Sequence, residues 1–204
     1  MRLFVLARHA ESVLNVEQRV NGDPTRPAGL TDAGREEARL LGLQLRDIPI
    51  DRCVHTRFSR TRETALLVLE GRNVPLATEP LLDDIDVGDL EGSPIAEYRA
   101  WKRSHLRSDA FPAGESLDDA ARRYAKALRN LLDSQAATTL VVCHEIPVRY
   151  ALNASGGSDA LDSPVHDIPN ATPFLFDDAA LSRAAERIEL LVTTIEAEGT
   201  RSQR

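Results

Sequence analysis

The chain has 204 residues, of which 42% are hydrophobic and 28% charged, enough for one domain with a substantial core. Its formal net charge of -7 argues against nucleic acid or an anionic membrane as the main partner, since both call for a basic surface. A small anionic substrate stays open, because a local cluster of arginines can oppose the global sign.

In chain order, residues 2–7 read as a first strand, apolar on both faces as a central parallel strand should be. It is entered without a signal-peptide layout, and no apolar run approaches the roughly 18 residues of a membrane span. "RVNGDPTRPAGL", residues 19–30, predicts a loop. Thr31 then caps a helix with Leu40, Leu41, Leu43 and Leu45 as its apolar face. Ile50–Thr56 predicts a second strand and Thr61–Leu69 a second helix, followed by an acidic loop at 81–94. A helix is expected over Ile95–Leu106, and another, capped by Ser116, over Leu117–Asp133. "TTLVVC", 138–143, is the clearest strand, and Pro147 lies in the first turn of the helix after it. A loop at 157–171, a strand at Thr172–Phe176 and a helix at Ala179–Ile195 complete the chain, with about 197–204 expected to fray. Cys53 and Cys143 lie in apolar strand-like runs and read as buried thiols of a reducing cytoplasm.

Strands alternating with helices predict an α/β protein with a mostly parallel sheet, in which ligands bind beyond the carboxyl ends of the strands. Two distant strands end in histidine: Arg8-His9 follows the first, and His144 follows "TTLVVC". One strand-end histidine is ordinarily a plain surface or core residue. Two at equivalent positions, one preceded by arginine, mark a candidate site.

On these residues the chain resembles the histidine phosphatase superfamily, also called the phosphoglycerate mutase-like family. "RHAES", 8–12, with Asn15 downstream, is similar to its Arg-His-Gly-Glu signature, with Ala10 in place of Gly. "LTDAG", 30–34, "TRFSRTRETA", 56–65, "DDIDVGDLEG", 83–92, "GES", 114–116, and "VVCHEIPVR", 141–149, follow in the family's order. The ordered set runs from Leu3 to about Asn170 and is far more specific than any single motif. It implies a three-layer αβα sandwich forming one domain over 1–204, and an enzyme: a phosphoric monoester hydrolase of the histidine acid phosphatase kind, using no metal or other cofactor.

The chemistry follows from the residue types. A neutral imidazole is a good nucleophile toward phosphorus and can carry the phosphoryl group covalently. Nearby guanidinium groups disfavour imidazolium and bind phosphoryl oxygens in bidentate fashion. Carried over from the family, His9 is the nucleophile, with Arg8, Arg60 and His144 around the phosphoryl group. Asn15 adds a hydrogen bond, and Asn21 and Gly22 face the substrate. Asp84 stands where the family has Glu as general acid, one methylene shorter, with Asp83 beside it as the competing assignment. Glu11 reads as a supporting residue that orients an arginine. A metal site in the acidic loop is the less favoured reading, since loop carboxylates are commonly solvated.

Glu145 replaces the Gly that follows the second histidine. It intrudes on the pocket or hydrogen-bonds His144 and raises its pKa, either of which would tune substrate choice, or it faces solvent at a helix N-terminus, where negative charge is favourable. His55 is expected at the pocket mouth; His105 and His166 have no motif support. Trp101 and Tyr98 are cap or core residues, or readers of the substrate's organic part. The apolar face Leu181, Ile188, Leu191 and Ile195 packs on its own domain or on a second subunit in a homodimer. The expected function is hydrolysis of a small phosphorylated metabolite in the cytoplasm. The alternatives are phosphoglycerate mutase-type transfer, disfavoured by a chain short of covering segments, and an idle phospho-ligand-binding domain.

Overall fold

The computed structural model describes the backbone of residues 1–202 and the side chains of residues 1–193. Its elements are β1 (Leu3–Arg8), α1 (Val13–Val16), α2 (Asp32–Gln44), β2 (Arg52–His55), α3 (Ser59–Val68), β3 (Leu76–Thr78), α4 (Ile95–Ser104), α5 (Leu117–Leu132), β4 (Thr138–Cys143), α6 (Glu145–Ser155), β5 (Pro173–Asp177) and α7 (Asp178–Ser202). They form a five-stranded sheet in the order β3-β2-β4-β1-β5. The first four strands are parallel and β5 runs antiparallel along β1.

Each central strand is apolar on both faces because each face is covered. Phe4 and Leu6 of β1 join Val54, Val141 and Cys143 in a core with α5, α6 and α7. Val5 and Ala7 join Cys53, Leu140 and Val142 in a second core with α2 and α3. The result is the expected three-layer sandwich. Cys53 and Cys143, both buried and free, lie on opposite faces of the sheet. Burial pushes each thiol up to about 12.

The caps read from the sequence form. The Thr31 hydroxyl accepts from the Gly34 amide at 2.9 Å, and Ser116 makes a reciprocal capping box with Asp119. Pro147 sits in the first turn of α6, where a missing amide hydrogen costs no helical bond. β3 was not foreseen: it is three residues long, at the sheet edge, without an apolar alternation.

The Leu181 and Ile188 face of α7 is buried in the chain's own core against α5 and α6, so it is not a free dimer face; Ile195 lies outside the described side chains. α7 is helical through Ser202, and the tail expected to fray, about 197–204, falls outside the described side chains. Among the described residues, no helix is long and apolar enough to cross a membrane.

Gly34 in the first turn of α2 faces the Glu11 backbone, and a Cβ there would stand 2.0 Å from the Glu11 carbonyl oxygen. Gly34→Ala is expected to lower the unfolding free energy by about 1–3 kcal/mol, read from urea denaturation.

Candidate active site

The register of β1 on β4 creates the site. Arg8 pairs with Cys143, and the His9 amide donates to the Cys143 carbonyl at 2.9 Å. The next residue of each strand is therefore a histidine, and the two rings stand edge to face with centroids 5.5 Å apart. β2, on the other side of β4, delivers Thr56 beside His144.

Hydrogen bonds define the His9 tautomer. Nδ1 is 2.8 Å from the Ala10 carbonyl, which can only accept, so Nδ1 carries the proton. Nε2 receives the Arg60 Nε–H at 3.0 Å and so presents a lone pair. Burial holds the His9 pKa well below 6.5, reinforced by Arg60 and then Arg8 and opposed by the Ala10 carbonyl. Desolvation thus outranks the arginines that sequence reasoning credited. Two further bonds hold the ring's backbone: Asn170 Nδ2 donates to the His9 carbonyl at 2.7 Å, and Ala10 N donates to Thr64 Oγ1 at 3.0 Å.

His144 is set the same way. Its Nδ1 accepts from Arg60 Nη2 at 3.1 Å, so Nε2–H donates to Thr56 Oγ1 at 2.9 Å. The Thr56 hydroxyl meets Thr61 Oγ1 at 2.9 Å, and Thr61 donates to the Phe58 carbonyl at 2.8 Å. Burial again lowers the pKa well below 6.5, followed by Arg60, His9, Arg123 and Arg8.

Arg60 is itself buried and joins four side chains. Besides the histidines it donates to Asn21 Oδ1 and, through Nη2, to Asp84 Oδ2 at 3.0 Å. Asp84 Oδ2 lies 3.4 Å from His144 Nδ1. Desolvation raises the Asp84 pKa above 3.8 against the pull of Arg60, Arg8 and Arg123. Asp83 points elsewhere: Arg57 takes both its oxygens, at 3.0 Å from the amide and 2.5 Å from Nε. Of the two adjacent acids, only Asp84 reaches the histidines. Arg123 holds the loop between them by donating to the Asp83 carbonyl at 2.7 Å and the Asp84 carbonyl at 2.9 Å.

A cavity of about 550 Å³ opens onto these groups, and Arg8, His9, Asn15, Asn21, Gly22, Arg60 and Asp84 line it, with His144 buried behind. Asn15 closes the cap of α1, its Oδ1 accepting from Ser12 N at 3.0 Å, so it has its amide N–H groups to offer a ligand. Asn21 and Gly22 reach the wall with their donors engaged: Glu91 accepts from Asn21 Nδ2 at 3.1 Å and Gly22 N at 2.6 Å. Glu91 therefore orders that loop.

Other expectations are corrected. His55 is not on the cavity wall, because its Nδ1 turns back to the Thr56 carbonyl at 2.7 Å. Glu11 orients no arginine; its carboxylate accepts from the Thr31 hydroxyl at 2.7 Å and supports the start of α2. Of the alternatives for Glu145, it lines the cavity rather than hydrogen-bonding His144, and lies 3.2 Å from Arg8 Nη1 and 2.9 Å from Arg149 Nη1. His105 and His166, without motif support, both line the cavity, His105 stacked on Trp101 at 4.1 Å. Tyr98 and Trp101 stack on Phe111, as cap or core residues do, and also line the cavity. Sequence reasoning missed Thr56, Thr61, Thr64 and Asn170 as positioning residues. Three of them stand inside the quoted "TRFSRTRETA" block, whose spacing was the available signal.

Residues 4–175 match the model of the histidine phosphatase superfamily (branch 1), and the chain belongs to that superfamily. A Yersinia pestis protein named "Probable phosphoglycerate mutase GpmB" is 29% identical over 163 residues, 76% of this chain and 75% of its own length. Among solved structures, the α-ribazole phosphatase of Shigella flexneri is 25% identical with a TM-score of 0.76, covering 86% of this chain and 90% of its own. Bacillus stearothermophilus YhfR is 26% identical with a TM-score of 0.76, covering 87% and 91%.

Both histidines have folded-state pKa values below 6.5. As pH falls, the unfolded chain takes up these protons first. The stability they contribute is complete above 6.5 and is lost as pH falls toward the folded values. Side-chain ¹⁵N NMR should find His9 as the neutral Nδ1–H tautomer with no titration near 6.5. Thr56→Val leaves His144 Nε2 buried and unpaired and should cost about 1–3 kcal/mol in urea unfolding, with Thr56→Ser restoring it.

Proposed function

We propose that the chain is a phosphomonoesterase that needs no metal and hydrolyses a small phosphorylated metabolite through a phosphohistidine on His9. The observation that carries this is the His9 ring: proton fixed on Nδ1 by Ala10, lone pair on Nε2, and the Arg60 cation beside it. In the first step Nε2 attacks phosphorus, the P–O ester bond breaks, and its electron pair leaves on the ester oxygen. Arg8 and Arg60 bind the equatorial oxygens and hold their charge through the in-line displacement. For Nε2 to attack, the Arg60 Nε–H moves from it to a phosphoryl oxygen. The amide of Asn15 contributes a further contact, His144 holds Arg60 from behind the cavity, and Asn21 and Gly22 flank the substrate.

Asp84 protonates the leaving oxygen. Its raised pKa, caused by desolvation, favours the protonated acid this step needs. In the second step water attacks phosphorus and returns a proton to Asp84. The P–N bond breaks and neutral His9 is regenerated with inorganic phosphate. The two buried free thiols suit a reducing cytoplasm. Mutase-type transfer is the second reading, favoured by the name of the Yersinia relatives. An idle binding domain is the least supported, because nucleophile, arginines and acid are all retained.

The test is incubation with an aryl phosphate in EDTA followed by an alkaline quench. Acid-labile phosphate on His9 and turnover are expected, and His9→Ala should abolish both. Binding without label or turnover would remove the enzyme reading. Label passing to 3-phosphoglycerate faster than to water would replace hydrolase by mutase. Asp84→Asn should lose about 10²-fold or more on alkyl esters and much less on aryl esters, whose leaving groups need no proton. Equal losses would remove Asp84 as the acid.

A further inference from the structure

Glu145 places a carboxylate against Arg8. Its Oε2 is 3.2 Å from Arg8 Nη1, which also donates to the Ile168 carbonyl at 2.8 Å. Arg8 Nε is buried without a partner among the described residues. In the free protein, part of the Arg8 charge is therefore already answered by the protein itself.

Glu145 is also held where it stands. Its Oε1 accepts from Arg149 Nη1 at 2.9 Å, one turn further along α6. Arg149 is fixed in turn by the His166 carbonyl and by Asp162, both at 2.9 Å. Asp162 also pairs with Arg107, which donates to Asp118 at 3.1 Å, and stands 4.0 Å from Lys102. Beyond Arg8, the wall's Arg149, Arg107 and Lys102 are held in ion pairs by the wall carboxylates Glu145 and Asp162 and, from behind the wall, by Asp118. The exposed Arg19, Arg99 and Arg103 line the cavity too, but each is exposed and not part of that chain of ion pairs.

We propose that Glu145 is a specificity-determining residue that excludes phosphomonoesters carrying a second anionic group next to the scissile phosphoryl group, and so selects uncharged leaving groups. The proposal rests on the phosphomonoesterase reading and names its substrate class. The physical cause is like-charge repulsion across a few ångströms in a partly desolvated cavity. A carboxylate or phosphate adjacent to the ester oxygen faces Glu145, which cannot turn away without breaking its bond to Arg149. The phosphoryl group is spared the full effect because Arg8 stands between it and Glu145. Ile146, Tyr98 and Trp101 on the cavity wall supply apolar contact for an uncharged group.

The test compares phosphoglycolate with phosphoglycolamide, which differ only in carboxylate against carboxamide. Their non-hydrolysable counterparts, 3-phosphonopropionate and 3-phosphonopropionamide, are compared by calorimetry. The protein should prefer the amide by about tenfold or more in kcat/KM and in Kd. Glu145→Gln, which keeps an acceptor for Arg149, should shrink that preference by about tenfold, and Glu145→Asp should keep most of it. If Glu145 only tethers α6, both members of each pair weaken in parallel and the ratio stays put. That result, or equal binding of the two phosphonates to the unmodified protein, overturns the proposal. Discrimination between the phosphonates without turnover of either ester would sustain the specificity role and count against the hydrolase reading instead.

Discussion

The site depends on one contact, the donation of Arg60 Nε–H to the lone pair of His9 Nε2 at 3.0 Å. It requires His9 to be neutral, because an imidazolium has no lone pair to accept with. It requires Arg60 to be buried beside a second histidine, which must accept as well. A guanidinium taken out of water needs its donors satisfied, and here His9, His144, Asn21 and Asp84 do so. The Phe58 ring adds a cation–π contact, 4.2 Å from the guanidinium carbon. His9, His144, Asp84 and the Asn21 loop are thus positioned by a single cation.

That arrangement gives an acidic chain a locally cationic pocket. The net charge of -7 describes the surface as a whole. Around His9 the balance is local and opposite in sign, with Arg8 and Arg60 close and Arg123 behind the Asp84 loop. The carboxylates of the region are mostly committed elsewhere: Asp83 to Arg57, Glu91 to the Asn21-Gly22 turn, Glu115 to Arg123. Asp84 and Glu145 are left on the cavity wall, the one proposed as a proton donor and the other as a filter. Their two fates follow from position. Asp84 is desolvated beside the histidines, whereas Glu145 is tied to two arginines.

The elements were legible wherever local chemistry dictated them. Thr31 and Ser116 announce helix starts through their hydroxyls, and "TTLVVC" announces a strand buried on both faces. β3 was invisible because three mostly exposed residues at a sheet edge leave no periodic trace. In the site, the motif residues were legible as types: a nucleophilic imidazole, arginines and an acid. Their partners were not. Thr56 matters because β2 lies against β4, and Glu145 matters because Arg8 lies one strand away. Neither adjacency is written in local sequence.

By itself, the sequence determined which side chains could do chemistry here and at which strand ends they stand. Residue type and the turn after a strand are local properties, settled within a few positions. Only the tertiary structure decided that β1 and β4 are neighbours in a register that levels His9 with His144. It also decided that Ala10 and Arg60 divide the His9 ring into a protonated and an open nitrogen, and that Asp84 rather than Asp83 turns inward. Apart from the His9–Ala10 bond, these outcomes rest on contacts between residues dozens of positions apart. Their geometry exists only once the sheet has closed.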